Sequence, residues 1–190
     1  MLKKRIVTLL TIVISSIICG NIIASAYAIK YRDGFYPTPA YISCHSSFSQ
    51  DTLNAFHNAC VTWNSAGCGT LVYRNTSTHS VTQFPYQNNL NQITKGYRGS
   101  NQYLMSTAYV QTTGVKVLEA DIDINVSFPF GTASGCYHTR SVATHEIGHL
   151  LGLDDITASG NVMCGTIAMN EQQYVLSNDD INGLNAIYGG

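Results

Sequence analysis

Two histidines four residues apart, with a glutamate directly after the first, mark the stretch Thr144–Asp155, T-H-E-I-G-H-L-L-G-L-D-D. On a helix, positions i and i+4 lie on one face a turn apart, so His145 and His149 present an imidazole nitrogen each to a common point. That is a donor pattern for zinc. Glu146 cannot reach the same ion alongside both rings; it is placed to take a proton from a water that the metal activates, the role of a general base. A third ligand cannot come from the same two turns without crowding, so the chain has to stop and fold back. Gly152, free to take the left-handed conformation that ends a helix, supplies the stop, and the chain then reaches Asp154 and Asp155.

This stretch resembles the long signature of the metzincin metallopeptidases, H-E-x-x-H-x-x-G-x-x-H/D. The resemblance implies one catalytic zinc held by His145, His149 and Asp155, with an aspartate in place of the commoner histidine; Asp154, one place earlier, is the competing ligand. Met163 lies eight residues beyond Asp155, the offset of the matrixin Met-turn, whose methionine forms an apolar floor under the ligands. Astacin-like and serralysin-like relatives carry a tyrosine two residues after that methionine; here the place is Gly165, so no oxyanion-stabilising tyrosine is carried over. The end of the chain, S-N-D-D-I-N-G-L-N-A-I-Y-G from Ser177, is similar to the last helix of matrixin (peptidase family M10) catalytic domains. Ala120-Asp121-Ile122 is similar to the A-D-I motif of the matrixin edge strand, beside which an extended peptide substrate can pair.

The elements that must position these residues follow from local pattern. Tyr41–Ser46 reads as a strand. Ser49 is the expected cap of a helix whose Leu53, Phe56, Ala59, Cys60 and Trp63 share one apolar face. Thr70–Arg74, Tyr103–Gln111 and Val115–Asn125 are further strands, the last taken as the edge strand. Residues 75–102, rich in Asn, Gln, Ser and Thr, are expected to be mostly loop. Asp121 and Asp123 are candidate calcium ligands, or simply the outward face of a strand. The zinc helix begins after Arg140, with Ser141 the expected cap. His138 is a rival ligand without an established spacing, and His57 and His79 read as surface residues. Ser177 caps the last helix, with Asp179 and Asp180 at its positive end. The fold class is α/β (α+β): a mixed twisted sheet with helices behind it, a cleft below the edge strand and a small lower part after Gly152.

At 190 residues the chain holds one domain. Lys3, Lys4 and Arg5, the apolar run Ile6–Ile18 and the small-residue site Ala26-Tyr27-Ala28 have the layout of a secretory signal peptide cleaved after Ala28. The charge-free stretch is also long enough to span a bilayer, but the cleavage site favours removal and a secreted, extracellular protein without stable membrane insertion. Residues 29–40 form an extended arm or short propeptide, and 41–190 the catalytic domain. Arg32-Asp33-Gly34 resembles the R-C-G latency segment of animal matrix metalloproteases with a carboxylate in place of the thiol, which makes Asp33 a candidate for capping the metal. Without its leader the chain keeps seven basic and eleven acidic residues, a net charge of −4, and no cluster of Lys and Arg suited to nucleic acid. Five cysteines remain beyond Cys19; Cys60–Cys68 and Cys136–Cys164 are the expected bridges, with Cys44 unpaired.

The expected activity is that of a monomeric zinc endopeptidase acting on protein or peptide substrates. Two rival classes are a catalytically inactive, zinc-stabilised binding module and a zinc amidase acting on non-protein amides. Cys164-Gly165-Thr166-Ile167 does not match the Pro-x-Tyr of animal matrixins, so their side-chain preference does not carry over to this chain.

Overall fold

The alternation in A-Y-I-S-C-H places Ala40, Ile42 and Cys44 inward, and these residues form a central strand of the sheet. The computed structural model describes residues 27–189, so the expected leader, 1–28, lies outside the described residues except for its last two. In chain order the elements are β1 (Ala28–Ile29), β2 (Ala40–His45), α1 (Gln50–Asn64), β3 (Val72–His79), β4 (Asn91–Gly96), β5 (Met105–Thr112) and β6 (Val117–Asn125). The short strands β7 (Phe130–Gly131) and β8 (Tyr137–His138) follow, then α2 (Thr139–Leu150), β9 (Leu153–Asp154) and α3 (Asn178–Tyr188). The main sheet runs β3-β2-β4-β6-β5; β5 alone is antiparallel to its neighbour, so β3 and β5 are the edges. This is the mixed α/β architecture that the resemblance to metzincins implies.

Helix α1 starts where expected, with the Ser49 hydroxyl accepting from the Thr52 N–H, and turns Phe56, Ala59, Cys60 and Trp63 into the core. Trp63 donates its indole N–H to the Thr144 carbonyl at 2.7 Å, which fastens α1 to α2. Helix α3 carries a full capping box, Ser177 with Asp180, as its S-x-x-D pattern requires. The Asp180 carboxylate, itself buried, also accepts from the N–H groups of Val162 and Met163 at 2.9 and 3.1 Å.

Several expectations are corrected. Residues 75–102 are mostly loop, as expected, but they hold two strand pieces that were not: β3 continues to His79, and β4 lies inside the sheet between β2 and β6. β4 escapes detection because N-Q-I-T-K-G has one apolar residue; its Gln92 and Thr94 are buried against polar partners instead. The strand holding Ala120-Asp121-Ile122 is paired on both sides, and the edge belongs to β5. Asp121 and Asp123 are fully buried and already supplied with donors: Asp121 accepts from the N–H groups of Tyr86 and Gln92, and Asp123 from Thr94, Tyr103 and Arg98. They therefore neither face solvent nor offer a free carboxylate to calcium. His79 is half-buried, its ring edge-on to His45.

The two expected disulfides do not form, and all five described cysteines are free thiols. Cys60 packs into the core on the inner face of α1, whereas Cys68 donates to the Asn185 side chain of α3. Burial pushes the Cys60 thiol up to about 12 and that of Cys44 to about 11, which keeps both protonated.

The arm before β2 turns at Arg32–Asp33 and bends over residues 36–39 rather than running extended, and it is bound along its length. β1 pairs with β9, Lys30 and Tyr31 donate to the Gly152 carbonyl, and Phe35 bridges to Val117 and enters the core. Among the described residues no helix is long and apolar enough to cross a membrane.

Candidate metal centre

Helix α2 gives His145 and His149 their common face, and its end decides where Asp155 arrives. Gly152 adopts φ 102°, and a Cβ there would lie 2.8 Å from the Tyr31 carbonyl and 3.0 Å from the Gly34 Cα. Only glycine tolerates both the left-handed backbone and the arm packed against it. β9 then runs for two residues, with Asp154 opposite Ala28. Successive side chains on an extended strand point to opposite sides. The Asp154 carboxylate is 3.6 Å from the Lys30 ammonium, while Asp155 turns to the two imidazoles.

The resulting cluster is compact. One ligand atom from each of His145, His149 and Asp155 lies within 4.8 Å of the others. Asp155 Oδ1 is 3.2 Å from His145 Nε2 and 3.5 Å from His149 Nε2. Two donors on a tetrahedral ion, at bond lengths of about 2.0–2.2 Å, stand about 3.3–3.5 Å apart, so these separations need little adjustment. The other nitrogens are already committed: His145 Nδ1–H donates to the Val162 carbonyl at 2.9 Å and His149 Nδ1–H to the Leu153 carbonyl at 3.0 Å. That leaves Nε2 of each ring facing the cluster, able to share a proton with Asp155 and, once that proton is displaced, to offer its lone pair to a metal.

The electrostatics also ask for a cation. Hydrogen bonds from His145 and then His149 hold the Asp155 carboxyl well below the usual carboxylate range. Burial pulls His149 down, but its hydrogen bond to Asp155, helped by the charge of Glu146, outweighs this and raises it to about 9. Two neutral imidazoles and one carboxylate with a position left for water are the donor set of a catalytic zinc site, and the residues present fit it.

Around the three ligands the structure arranges four further features. Glu146 is only 4% exposed, and its Oε2 accepts from the Thr107 hydroxyl of β5 at 2.7 Å. Met163 is buried beneath α2: a Cβ at Gly148 would run into its sulfur and lie 2.7 Å from Trp63, so helix and methionine pack directly. Tyr109 of β5 donates to the His149 carbonyl at 3.1 Å and meets Tyr31 of the arm edge-on. A cleft of about 530 Å³ runs between β5, α2 and the segment after Met163, with His145, Glu146, His149 and Asp155 on its wall.

Other expected residues are not brought here. Asp33 is exposed in the arm, its N–H donating to the Val115 carbonyl, and it is not part of the cleft wall. His138 is the cap of α2 rather than a ligand: its Nδ1 accepts from the Ser141 N–H, and its ring stacks on Tyr174. Ser141, the expected cap, is instead buried in the first turn and accepts from the Gln173 N–H. The sequence reading missed Lys30, Thr107 and Tyr109. The only signal for the last two is their i, i+2 spacing on one face of a strand.

Residues 45–189 match the family model of the matrixins, peptidase family M10. The chain belongs to the matrixin family. Among curated matrixin relatives it is 36% identical over 73 residues to metalloendoproteinase 2-MMP of Arabidopsis thaliana, covering 38% of this chain and 18% of that protein. It is 44% identical over 57 residues to human neutrophil collagenase, covering 30% of this chain and 12% of the collagenase. These matches span less than a fifth of either relative. A matrixin domain with this donor set implies zinc.

Proposed function

We propose that this matrixin is a secreted zinc endopeptidase that hydrolyses internal peptide bonds of proteins outside the cell. The observation that carries the reading is the convergence of His145, His149 and Asp155 in a cleft whose wall also holds a buried glutamate directly after the first histidine. His145, His149 and Asp155 would hold the ion. Zinc, when bound, supplies a Lewis acid that polarises the scissile carbonyl and acidifies the attacking water. Glu146 accepts that water's proton and returns it to the departing amine, so one carboxylate serves as base and then as acid. Met163, packed against Gly148, keeps the ligand helix from shifting. Among the described residues β5 is an unpaired edge strand above the cleft, and an extended peptide adds to such an edge by main-chain hydrogen bonds.

The relatives named as metalloendoproteinases and a collagenase support protein substrates, and the charged, apolar and small-residue order of the first 28 residues supports secretion. Incubating the protein with a mixed protein substrate tests the reading. Cleavage should stop on chelation and return with zinc, and Glu146→Ala should retain zinc while losing turnover. Cleavage by the Glu146→Ala protein at the unaltered rate would remove the base from the mechanism. Zinc retention without any cleavage would favour the binding module, and release of small amides alone the amidase.

A further inference from the structure

Thr107 and Tyr109 are two apart on β5 and so project from the same face of the strand; Glu146 and His149 are three apart on α2 and share a side of the helix. The two pairs meet. Tyr109 donates to the main chain of His149 at 3.1 Å, and the Thr107 hydroxyl lies 2.7 Å from Glu146 Oε2 and 3.0 Å from the Glu146 carbonyl. The antiparallel register with β6, in which Thr107 stands opposite the buried Ile122, fixes where that hydroxyl is delivered. Threonine is stiff at χ1, so the direction of its hydroxyl follows from the strand. Glutamate has three rotatable bonds, and among the described residues Thr107 is the one side chain that donates to the Glu146 carboxylate.

We propose that Thr107 is the positioning residue of the base: its hydroxyl grips Oε2 of Glu146, sets the carboxylate rotamer, and leaves the other oxygen to exchange the proton with water and leaving amine. This rests on Glu146 being the base. A single hydroxyl proton serves the shorter of its two contacts, the one to the carboxylate, and a charge-assisted bond of this kind is stronger than one between neutral groups. Thr107 touches neither the ion's ligands nor the reacting atoms; it acts through Glu146. A residue of this kind matters to the chemical step more than to substrate binding.

The test compares Thr107→Val, which keeps the β-branched shape and removes the donor, with Thr107→Ser, which restores it. Zinc-loaded Thr107→Val should keep its metal and hold KM within about twofold, while kcat falls on the order of tenfold or more and Thr107→Ser recovers most of the loss. Thr107→Ala gives the same comparison should the valine protein not fold. A second readout needs no turnover: in metal-free protein, Thr107→Val should lower the thermal midpoint by more when Glu146 is present than in a Glu146→Ala background, where only the contact to the main-chain carbonyl is left to lose. An unaltered kcat in Thr107→Val, a serine variant as slow as the valine one, or midpoint shifts that simply add would each overturn the proposal. Should the unsubstituted protein cleave nothing, the endopeptidase reading fails by itself, and the unfolding comparison still judges the contact.

Discussion

At the level of single residues, the question of which aspartate faces the metal turns on one strand position. Spacing alone leaves Asp154 and Asp155 a residue apart; the pairing of β9 with β1 separates them, because it directs one carboxylate to Lys30 and the other to the imidazoles. The two substitutions should therefore differ sharply. Asp155→Ala removes a donor and should lower zinc affinity by more than the roughly 10–100-fold that losing an outer hydrogen-bond partner costs. Asp154→Ala removes an exposed ion pair at 3.6 Å, worth about 1 kcal/mol at most, and should leave zinc affinity within about threefold. Competition with a chromogenic chelator measures both, and equal losses would show that the strand register does not choose the ligand. The histidines and the glutamate were legible because a helix turns i, i+4 spacing into geometry. Thr107 was not, because nothing in S-T-A-Y says which helix the strand will run beside.

At the level of elements, the last helix reaches the metal site through its cap. Asp180 was readable as a favourable charge at a helix start, and the structure gives it a second task that no local pattern announces. Its carboxylate accepts from Ser177, Val162 and Met163, and the carbonyl of Val162 in turn receives the Nδ1 proton of His145. The capping box thus holds the turn that orients a ligand. Asp180→Ala strands several buried N–H donors at about 1–3 kcal/mol each, so urea unfolding should show a loss of about 3 kcal/mol or more. It should also weaken zinc binding roughly 10–100-fold, the usual consequence of freeing an outer partner. A stability loss with unchanged zinc affinity would disconnect the cap from the ligand. Helices α1 and α3 declared themselves through apolar spacing and S-x-x-D. β4 did not, since an interior strand with one apolar residue is stabilised by partners far away in sequence.

For the molecule as a whole, β6 is covered on both faces, and the second cover is polar. Ala120, Ile122 and Ile124 enter the apolar core, whereas Glu119, Asp121, Asp123 and Asn125 bind the N–H groups and side chains of the segment from Tyr86 to Tyr103. The alternation was legible, but its reading as solvent-facing was not correct, because a chain rich in Asn, Gln, Ser and Thr folds over those carboxylates and satisfies them. Burial raises Asp121 to about 6 against the opposing pull of the Tyr86 and Gln92 N–H groups, with the neighbouring Glu119 adding to the rise. The folded protein then holds a proton between about pH 4 and pH 6 that the unfolded chain releases. The stabilisation is complete below the unfolded value, is lost as pH rises through about 6, and stays lost above it. A shift of about two units corresponds to about 3 kcal/mol. Asp121→Asn removes the titration while keeping the shape, so the stability difference between native and variant should move by about 3 kcal/mol in the variant's favour as pH goes from 4 to 7. Denaturant unfolding of the pair across that range measures it, and a difference independent of pH would mean that the two backbone N–H groups, rather than burial, govern the charge of Asp121.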